Sequence, residues 1–187
     1  STEAEHNSVL RPVHRHGNFT LATVDSRGEY TAEDIAGACR KDTVAVVVGQ
    51  ASNLTGNVVP LAEISRLCRE RGLYLIVDAA QTAGLFEINL KETEVDAYCF
   101  TGHKSWYDPR RTGARSRRGR FTPRPLLVGG SGRRSFEPTQ PDQLPDRLEA
   151  GTLNGHGLAG LAAGFDYVRA MGPAQLLARA DRLARLF

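Results

Sequence analysis

A chain of 187 residues, of which 41% are hydrophobic and 24% charged, is long enough to bury a core and suits one globular α/β domain or a piece of a larger one. No apolar run approaches membrane-spanning length and no secretory leader is visible, so we expect neither a transmembrane segment nor secretion. The three cysteines are odd in number and form no CxxC pair, which argues against a disulfide framework or a zinc site and favours a cytoplasmic protein.

The formal net charge of +3 hides an uneven distribution. Nine arginines and no acidic residue fall in the window 110–134, and the rest of the chain holds 15 basic against 21 acidic residues. Such a cluster could attract nucleic acid or an acidic partner, but it is more often a solvated loop. The window contains no interleaved aromatics and no known binding motif, so a nucleic-acid-binding module is the weaker interpretation.

Predicted strands and helices alternate along the first part of the chain. Residues 19–25 alternate and are rich in β-formers, which predicts a strand. Thr31, followed three residues later by Asp34, has the pattern of a capping box and predicts the start of a helix. Residues 44–48 form an unbroken β-branched run, typical of a strand buried on both faces.

The later elements follow from similar signals. Pro60 opens a helix that Gly72 ends, after a loop at 51–60. The other predicted elements are strands at 73–77 and 97–100, a loop at 110–134 and helices at 157–171 and 174–187. The strand–helix order predicts an α/β fold with a mostly parallel sheet flanked by helices.

Polar segments follow three of the predicted strands. They contain Asn53, residues 78–81 and residues 101–104. Ligands bind beyond the carboxyl ends of the strands in open α/β sheets, so we expect these side chains to form a site. A lysine can form a Schiff base with pyridoxal phosphate (PLP), and a carboxylate can hold the pyridine nitrogen protonated. Lys104 and Asp78 fit these two roles, although any α/β enzyme carries polar residues at its strand ends.

Five segments, in this order, strengthen that interpretation. They are EHNSVLRP at 5–12, SNLTG at 52–56, VDAAQ at 77–81, FTGHK at 100–104 and EAGTLN at 149–154. Together they closely resemble the class V aminotransferase family, in its cysteine desulfurase and selenocysteine lyase branch. The resemblance implies the large domain of a fold-type I PLP enzyme over residues 1–187. It also implies a homodimer, a small amino-acid substrate, and a protein that accepts the sulfur.

The resemblance assigns roles to eight residues. Lys104 would form the aldimine with PLP, Asp78 would pair with the pyridinium nitrogen, and His6 would stack on the ring. The remaining roles are Asn53 beside the ring oxygen and the substrate, Gln81 on the ring hydroxyl, Thr101 and His103 on the phosphate, and Ser131 on the phosphate of the other subunit. No metal ligand is expected. The activity implied is removal of sulfur or selenium from cysteine or selenocysteine, with Lys104 as base at the α-carbon.

Each assignment has a structural alternative. Asp78 could cap a helix and Asn53 could be a turn residue. Lys104 could be an ordinary surface lysine. The histidines His6 and His103 could be structural, and Ser131 could be a plain loop serine.

Three departures from the family pattern are visible. Family proteins are about twice as long, and we expect an N-terminal segment and the C-terminal small domain to be absent here. That domain supplies the cysteine that attacks the substrate sulfur and an arginine for the substrate carboxylate, and neither can be located. After Lys104, the family's Gly-Pro-x-Gly-Thr-Gly turn is replaced by DPRRTG at 108–113, with arginines at 114–120 where strand residues are expected. The strand is missing or remodelled, or the reading frame is locally disturbed. The alternative function is a truncated, non-catalytic relative that keeps only the scaffold.

Overall fold

The computed structural model describes residues 1–108, the backbone course of 113–117, and residues 122–186. The helices are α1 (Asn7–His16), α2 (Ala32–Ala38), α3 (Leu61–Glu70), α4 (Gly155–Met171) and α5 (Pro173–Ala184), with a short 3-10 helix at Asp146–Leu148. The strands are β1 (Ala45–Gly49), β2 (Tyr74–Asp78), β3 (Ala97–Thr101) and β4 (Gly113–Arg117). Among the described residues, no helix is both long enough and apolar enough to cross a membrane.

The four strands form one sheet in the order β1-β2-β3-β4. The first three strands are parallel and β4 runs antiparallel to β3. The register pairs Gly49 with Asp78 and Asp78 with Cys99, so the carboxyl ends of β1, β2 and β3 lie side by side. This confirms the predicted α/β class with a mostly parallel sheet. The segments that follow β1, β2 and β3 therefore leave the sheet at the same edge.

The core lies between the sheet and the helices α2 and α3. Val46, Val48, Leu75 and Val77 are at most 2% exposed, and they pack in one cluster with Ile64 and neighbouring apolar residues. Burying a side chain of this size stabilises the fold by roughly 1.5–3 kcal/mol. The expectation that β1 is buried on both faces holds for only one face, since its alternate residues are half-buried.

The helix starts that the sequence predicted are confirmed. Asp34 donates its backbone N–H to Thr31 Oγ1 (3.2 Å), and Thr31 donates its own N–H to Asp34 Oδ2 (2.8 Å), which completes the capping box of α2. Helix α3 begins directly after Pro60, and Gly72 follows its end with φ +66°. The predicted helices 157–171 and 174–187 correspond to α4 and α5.

Two predictions are wrong. Residues 19–25 do not form a strand, because only Ala22 finds a partner, in an isolated parallel bridge to Thr2. A strand needs a continuous ladder, and β propensity alone does not supply one. Within the predicted loop 110–134, residues 113–117 form β4, since backbone pairing with β3 depends on main-chain groups and tolerates the unexpected composition. Residues 109–112 and 118–121 of the arginine-rich stretch lie outside the described residues.

Candidate active site

A cavity opens where the carboxyl ends of β1 and β2 meet the segment before α1. Five of the eight predicted site residues line it: His6, Asn53, Asp78, Gln81 and Lys104. They come from four separate parts of the chain, and the parallel sheet brings them together. The expected convergence at the strand ends is thus observed for Asn53, Asp78, Gln81 and Lys104, and His6 joins them from the segment before α1.

Asp78 is the last residue of β2 and is half-buried. Its Oδ1 accepts a hydrogen bond from the backbone N–H of Ala80 (3.0 Å), so the carboxylate fixes the turn that leaves the strand. A turn rather than a helix follows at that point, so Asp78 does not cap a helix. The carboxylate belongs to the cavity wall and to the turn at once.

The loop after β1 presents Asn53. Ser52 Oγ accepts hydrogen bonds from the backbone N–H groups of Leu54 and Thr55, both at 3.2 Å, and these bonds hold the turn closed around Asn53. A bridge between Ala51 and Val58 closes the base of the loop. Asn53 is therefore a turn residue, as the structural alternative predicted, and it also lines the cavity.

Lys104 projects from the turn that follows β3. Its side chain is exposed, and it makes no hydrogen bond or ion pair with any residue in the described part of the chain. The turn itself is held by two backbone bonds, from Tyr107 N–H to the Lys104 carbonyl (3.1 Å) and from Asp108 N–H to the Gly102 carbonyl (3.0 Å). The amine is consequently available to a ligand while its backbone is fixed.

Helix α4 packs directly against this turn. A methyl group at position 164 would overlap the backbone carbonyl of Trp106, so only glycine at that position allows the helix to approach this closely. The Trp106 ring lies 4.1 Å from the Phe165 ring, centroid to centroid, and it also packs closely on Gly84, where φ is +95°. The packing fixes the backbone two residues beyond Lys104.

Three predicted residues lie apart from the cavity. Thr101 ends β3, and its Oγ1 is buried without a hydrogen-bond partner among the residues that the structure describes. His103 is exposed in the turn. Ser131 lies in a different cleft, built by residues 128–141, where its Oγ donates to the carbonyl of Arg133 (3.3 Å). The structure therefore does not bring Ser131 to the Lys104 cavity within this chain.

Glu5 is a cavity residue to which the sequence analysis gave no role. Its carboxylate accepts hydrogen bonds from Thr2 Oγ1 (2.8 Å) and from the backbone N–H of Gly49 (2.7 Å). Burial, above all, raises the pKa of this carboxyl group, and the negative charge of Asp78 adds to the effect. The sequence gives no sign that this carboxylate would be buried. The one signal that could have indicated Glu5 is its position in the EHNS segment.

Comparison with known proteins identifies the family. Residues 1–187 match the family model described as aminotransferase class-V. The chain belongs to this family. Enzymes of the family depend on PLP. The resemblance seen in the five segments is thereby confirmed at the level of the family.

The individual relatives are cysteine desulfurases. Cysteine desulfurase IscS of Dictyoglomus turgidum is 31% identical over 170 residues, covering 89% of this chain and 40% of that protein. A probable cysteine desulfurase of Xylella fastidiosa is 37% identical over 142 residues, covering 74% of this chain and 34% of its own length. The apo structure of the cysteine desulfurase from Thermococcus onnurineus NA1 superposes with a TM-score of 0.84 at 30% identity, covering 98% of this chain and 48% of that one. The chain thus spans less than half the length of these class V relatives.

The residues of the cavity fit the cofactor of the family. An amine, a carboxylate, an imidazole and two amides line one space, which is the set of groups that an imine link, a pyridinium nitrogen, a ring face and a ring oxygen require. Thr101 does not line the cavity, but its buried Oγ1 has no partner among the described residues and so retains unused hydrogen-bonding capacity in the segment that leads to Lys104.

Proposed function

We propose that residues 1–187 form the PLP-binding large-domain portion of an enzyme that removes sulfur or selenium from cysteine or selenocysteine. The observation that carries the proposal is the convergence of Lys104, Asp78 and His6 on one cavity at the carboxyl ends of the parallel strands. The family match and the cysteine desulfurase relatives support the choice of substrate class.

The roles of the side chains follow from their chemistry. The Lys104 amine is the point of covalent attachment, and Asp78 accepts the proton of the pyridine nitrogen as a hydrogen bond. His6 covers one face of the ring, while Asn53 and Gln81 bond its oxygen substituent. When bound, the cofactor supplies an electron sink for the substrate α-carbon. We assign Thr101 and His103 to the phosphate, supported in the case of Thr101 by a buried hydroxyl that bonds to no described residue.

Lys104 also has the properties of a general base. The amine of Lys104 is a group that could accept the proton of the substrate α-carbon. Its side chain is not tied down by an ion pair with any described residue, so it can swing between the two tasks. The fixed backbone of the turn limits this motion to the side chain itself.

We further propose that the functional unit is a homodimer in which Ser131 serves the cofactor of the other subunit. The segment before Ser131 carries three exposed apolar residues, namely Leu126, Leu127 and Val128 at 92%, 70% and 72% exposure. Phe136, just beyond it, is fully exposed. A contiguous run of apolar side chains in water is typical of an interaction surface.

We also propose that a second protein accepts the sulfur, on the basis of the family resemblance. The cysteine pattern is the basis on which we propose a cytosolic location.

The decisive experiment is addition of PLP to the purified chain, followed by visible absorption before and after borohydride. We expect a Schiff-base band that borohydride fixes covalently in the wild type and that is missing in Lys104→Ala. Lys91→Ala removes an exposed lysine remote from the cavity and should leave the band unchanged. A folded wild-type chain without a band would favour the alternative, a non-catalytic relative that keeps only the scaffold.

A further inference from the structure

The carboxylate of Glu5 is the most deeply buried charged group of the cavity. The residue is 9% exposed, although it lies only one position before the exposed His6. Moving a carboxylate out of water is costly unless hydrogen bonds replace its hydration. Here the Thr2 hydroxyl satisfies Oε1 and the Gly49 amide satisfies Oε2. A side chain held in this way is fixed in one position.

The two hydrogen bonds join parts of the chain that are far apart in sequence. Gly49 is the last residue of β1, 44 positions after Glu5. In the described part of the chain β1 pairs only with β2, so the Gly49 N–H faces the edge of the sheet, and the Glu5 carboxylate accepts it there in place of a neighbouring strand. Glu5 thus ties the segment before α1 to the strand whose end forms the cavity.

The fit between Glu5 and Gly49 is close. A methyl group at position 49 would lie 3.2 Å from Glu5 Oε2, tighter than an ordinary van der Waals contact. The backbone of Gly49 is not in the left-handed region, so the absence of a side chain at this position serves the approach of the carboxylate rather than a turn.

His6 follows Glu5 directly and is also the N-cap of α1. Its Nδ1 accepts a hydrogen bond from the backbone N–H of Ser8 (3.1 Å), which couples the orientation of the ring to the start of the helix. The backbone on one side of His6 is therefore set by Glu5, and on the other side by α1.

We propose that Glu5 is a positioning residue that holds the His6 ring over the cavity in register with Asp78. The positioning itself is a property of the chain without cofactor. Its consequence for PLP rests on the function proposed above. Other charged or titratable groups facing Glu5 are the Ser1 ammonium, Tyr30 and Asp78, with Lys104 on the same cavity.

The test compares Glu5→Leu and Glu5→Gln with the wild type in the absence of PLP, by NMR of the His6 imidazole, identified by its loss in His6→Gln. Leucine removes both acceptors, and we expect the His6 signals to shift and broaden. Glutamine keeps one acceptor oxygen, and the Thr2 hydroxyl can turn to accept from its NH₂ group, so the signals should stay near the wild-type positions. Glu3→Gln is the matched control at an exposed neighbouring glutamate.

Gly49→Ala provides a second, milder perturbation, because it displaces the carboxylate without removing it. It should shift the His6 signals in the same direction as Glu5→Leu. With PLP added, we expect about tenfold weaker binding for Glu5→Leu, a factor near the lower end of the range for one hydrogen bond to a charged group, and a smaller loss for Gly49→Ala. Far-UV circular dichroism establishes that each variant is folded.

Two results would overturn the proposal: unchanged His6 signals in folded Glu5→Leu and Gly49→Ala, or a shift in Glu5→Gln as large as that in Glu5→Leu. The second result would mean that the charge of Glu5, rather than the geometry of its hydrogen bonds, determines the position of the His6 ring. Failure of the proposed function gives a different outcome, namely no Schiff-base band in the wild type, and the cofactor-free NMR comparison still decides the role of Glu5.

Discussion

At the residue scale, the side chain of Gln50 links the segments after β1 and β2 to strand β3. Its side-chain Oε1 accepts hydrogen bonds from Thr82 Oγ1 (2.6 Å) and from the Tyr98 hydroxyl (2.8 Å), and all three residues are at most 6% exposed. Gln50 directly follows β1, Thr82 lies in the turn after β2, and Tyr98 belongs to β3. The network thus links β3 to the segments that directly follow β1 and β2, both of which carry residues of the cavity wall.

We expect Tyr98→Phe to lower the free energy of unfolding by about 1 kcal/mol, the net value of one buried hydrogen bond. The phenyl ring keeps the packing, and Thr82 still satisfies Gln50, so no acceptor is left bare. Urea denaturation measures the change. Tyr167→Phe is the control, because Tyr167 is 45% exposed and meets Tyr107 through its ring. Equal stability of both variants would show that the Tyr98 hydroxyl contributes nothing to the network.

Chemistry and position in sequence predicted part of the site. Asp78 and Lys104 could be found because Asp78 ends an apolar strand and Lys104 follows another, and a parallel sheet brings such strand ends together. Glu5 could not, since its burial depends on Gly49, a contact across 44 residues that leaves no local pattern. Ser131 was assigned through the family dimer, and a single chain cannot test a contact that needs the second subunit.

At the scale of elements, helix α4 packs closely against the turn that follows Lys104. Gly164 lets the helix touch the Trp106 backbone, and the Phe165, Phe100 and Trp106 rings close the contact. Trp106 is the single tryptophan of the chain, so its fluorescence reports on this contact without interference.

Gly164→Ala should destabilise the protein by roughly 1–3 kcal/mol, because the helix must move away from the Trp106 carbonyl or the turn must shift. This cost exceeds the gain of up to about 1 kcal/mol that alanine brings over glycine in a helix. We expect the Trp106 emission to move to longer wavelength as the ring becomes more exposed. Denaturation monitored by that emission gives both quantities.

Gly37→Ala is the matched control in α2. A methyl group at that position meets no atom within 4 Å, so only the helix propensity acts and stability should stay the same or rise. A Gly164→Ala variant as stable as Gly37→Ala, with unchanged emission, would contradict the close packing of α4 on the turn.

The sequence predicted elements better where local signals and tertiary context agree. The Thr31–Asp34 capping box determined the start of α2, and unbroken apolar runs located β1 and β2. Residues 19–25 have the composition of a strand but a partner at only one position. Helix α1 was not predicted, since its cap is a histidine and Pro12 lies inside it, both unusual signals for a helix.

At the scale of the whole molecule, acidic groups in different surroundings make the stability of the fold depend on pH in opposite directions. Asp25, Asp34 and Asp42 are exposed, and hydrogen bonds hold the pKa of each below its ordinary value. The largest contributions come from the Glu29 backbone for Asp25, the Thr31 side chain for Asp34 and the Arg40 side chain for Asp42. Their stabilisation is present above the ordinary aspartate pKa and is lost as the pH falls through the lowered values.

The contribution of Glu5 to stability depends on pH in the opposite direction, because burial raises the pKa of its carboxyl group. The folded protein then binds the Glu5 proton more tightly than the unfolded chain does. The contribution of Glu5 to stability is largest below its ordinary pKa and declines as the pH rises through the raised value. The Thr2 and Gly49 hydrogen bonds reduce this penalty without removing it, since desolvation is the largest cause of the shift.

The side chain introduced by Glu5→Gln cannot ionise. The free energy of unfolding of this variant should therefore increase relative to that of the wild type as the pH rises from about 4 to 8. Urea denaturation of both proteins across this range measures the difference. The test is how this difference changes with pH. A hydrogen bond that the substitution alters would change the difference by the same amount at every pH. Asp34→Asn should show the reverse pattern, with its deficit shrinking as the pH falls below the ordinary aspartate range. A difference between Glu5→Gln and the wild type that does not change with pH would mean that Glu5 titrates as an exposed glutamate does, and that its carboxylate is hydrated rather than enclosed by Thr2 and Gly49.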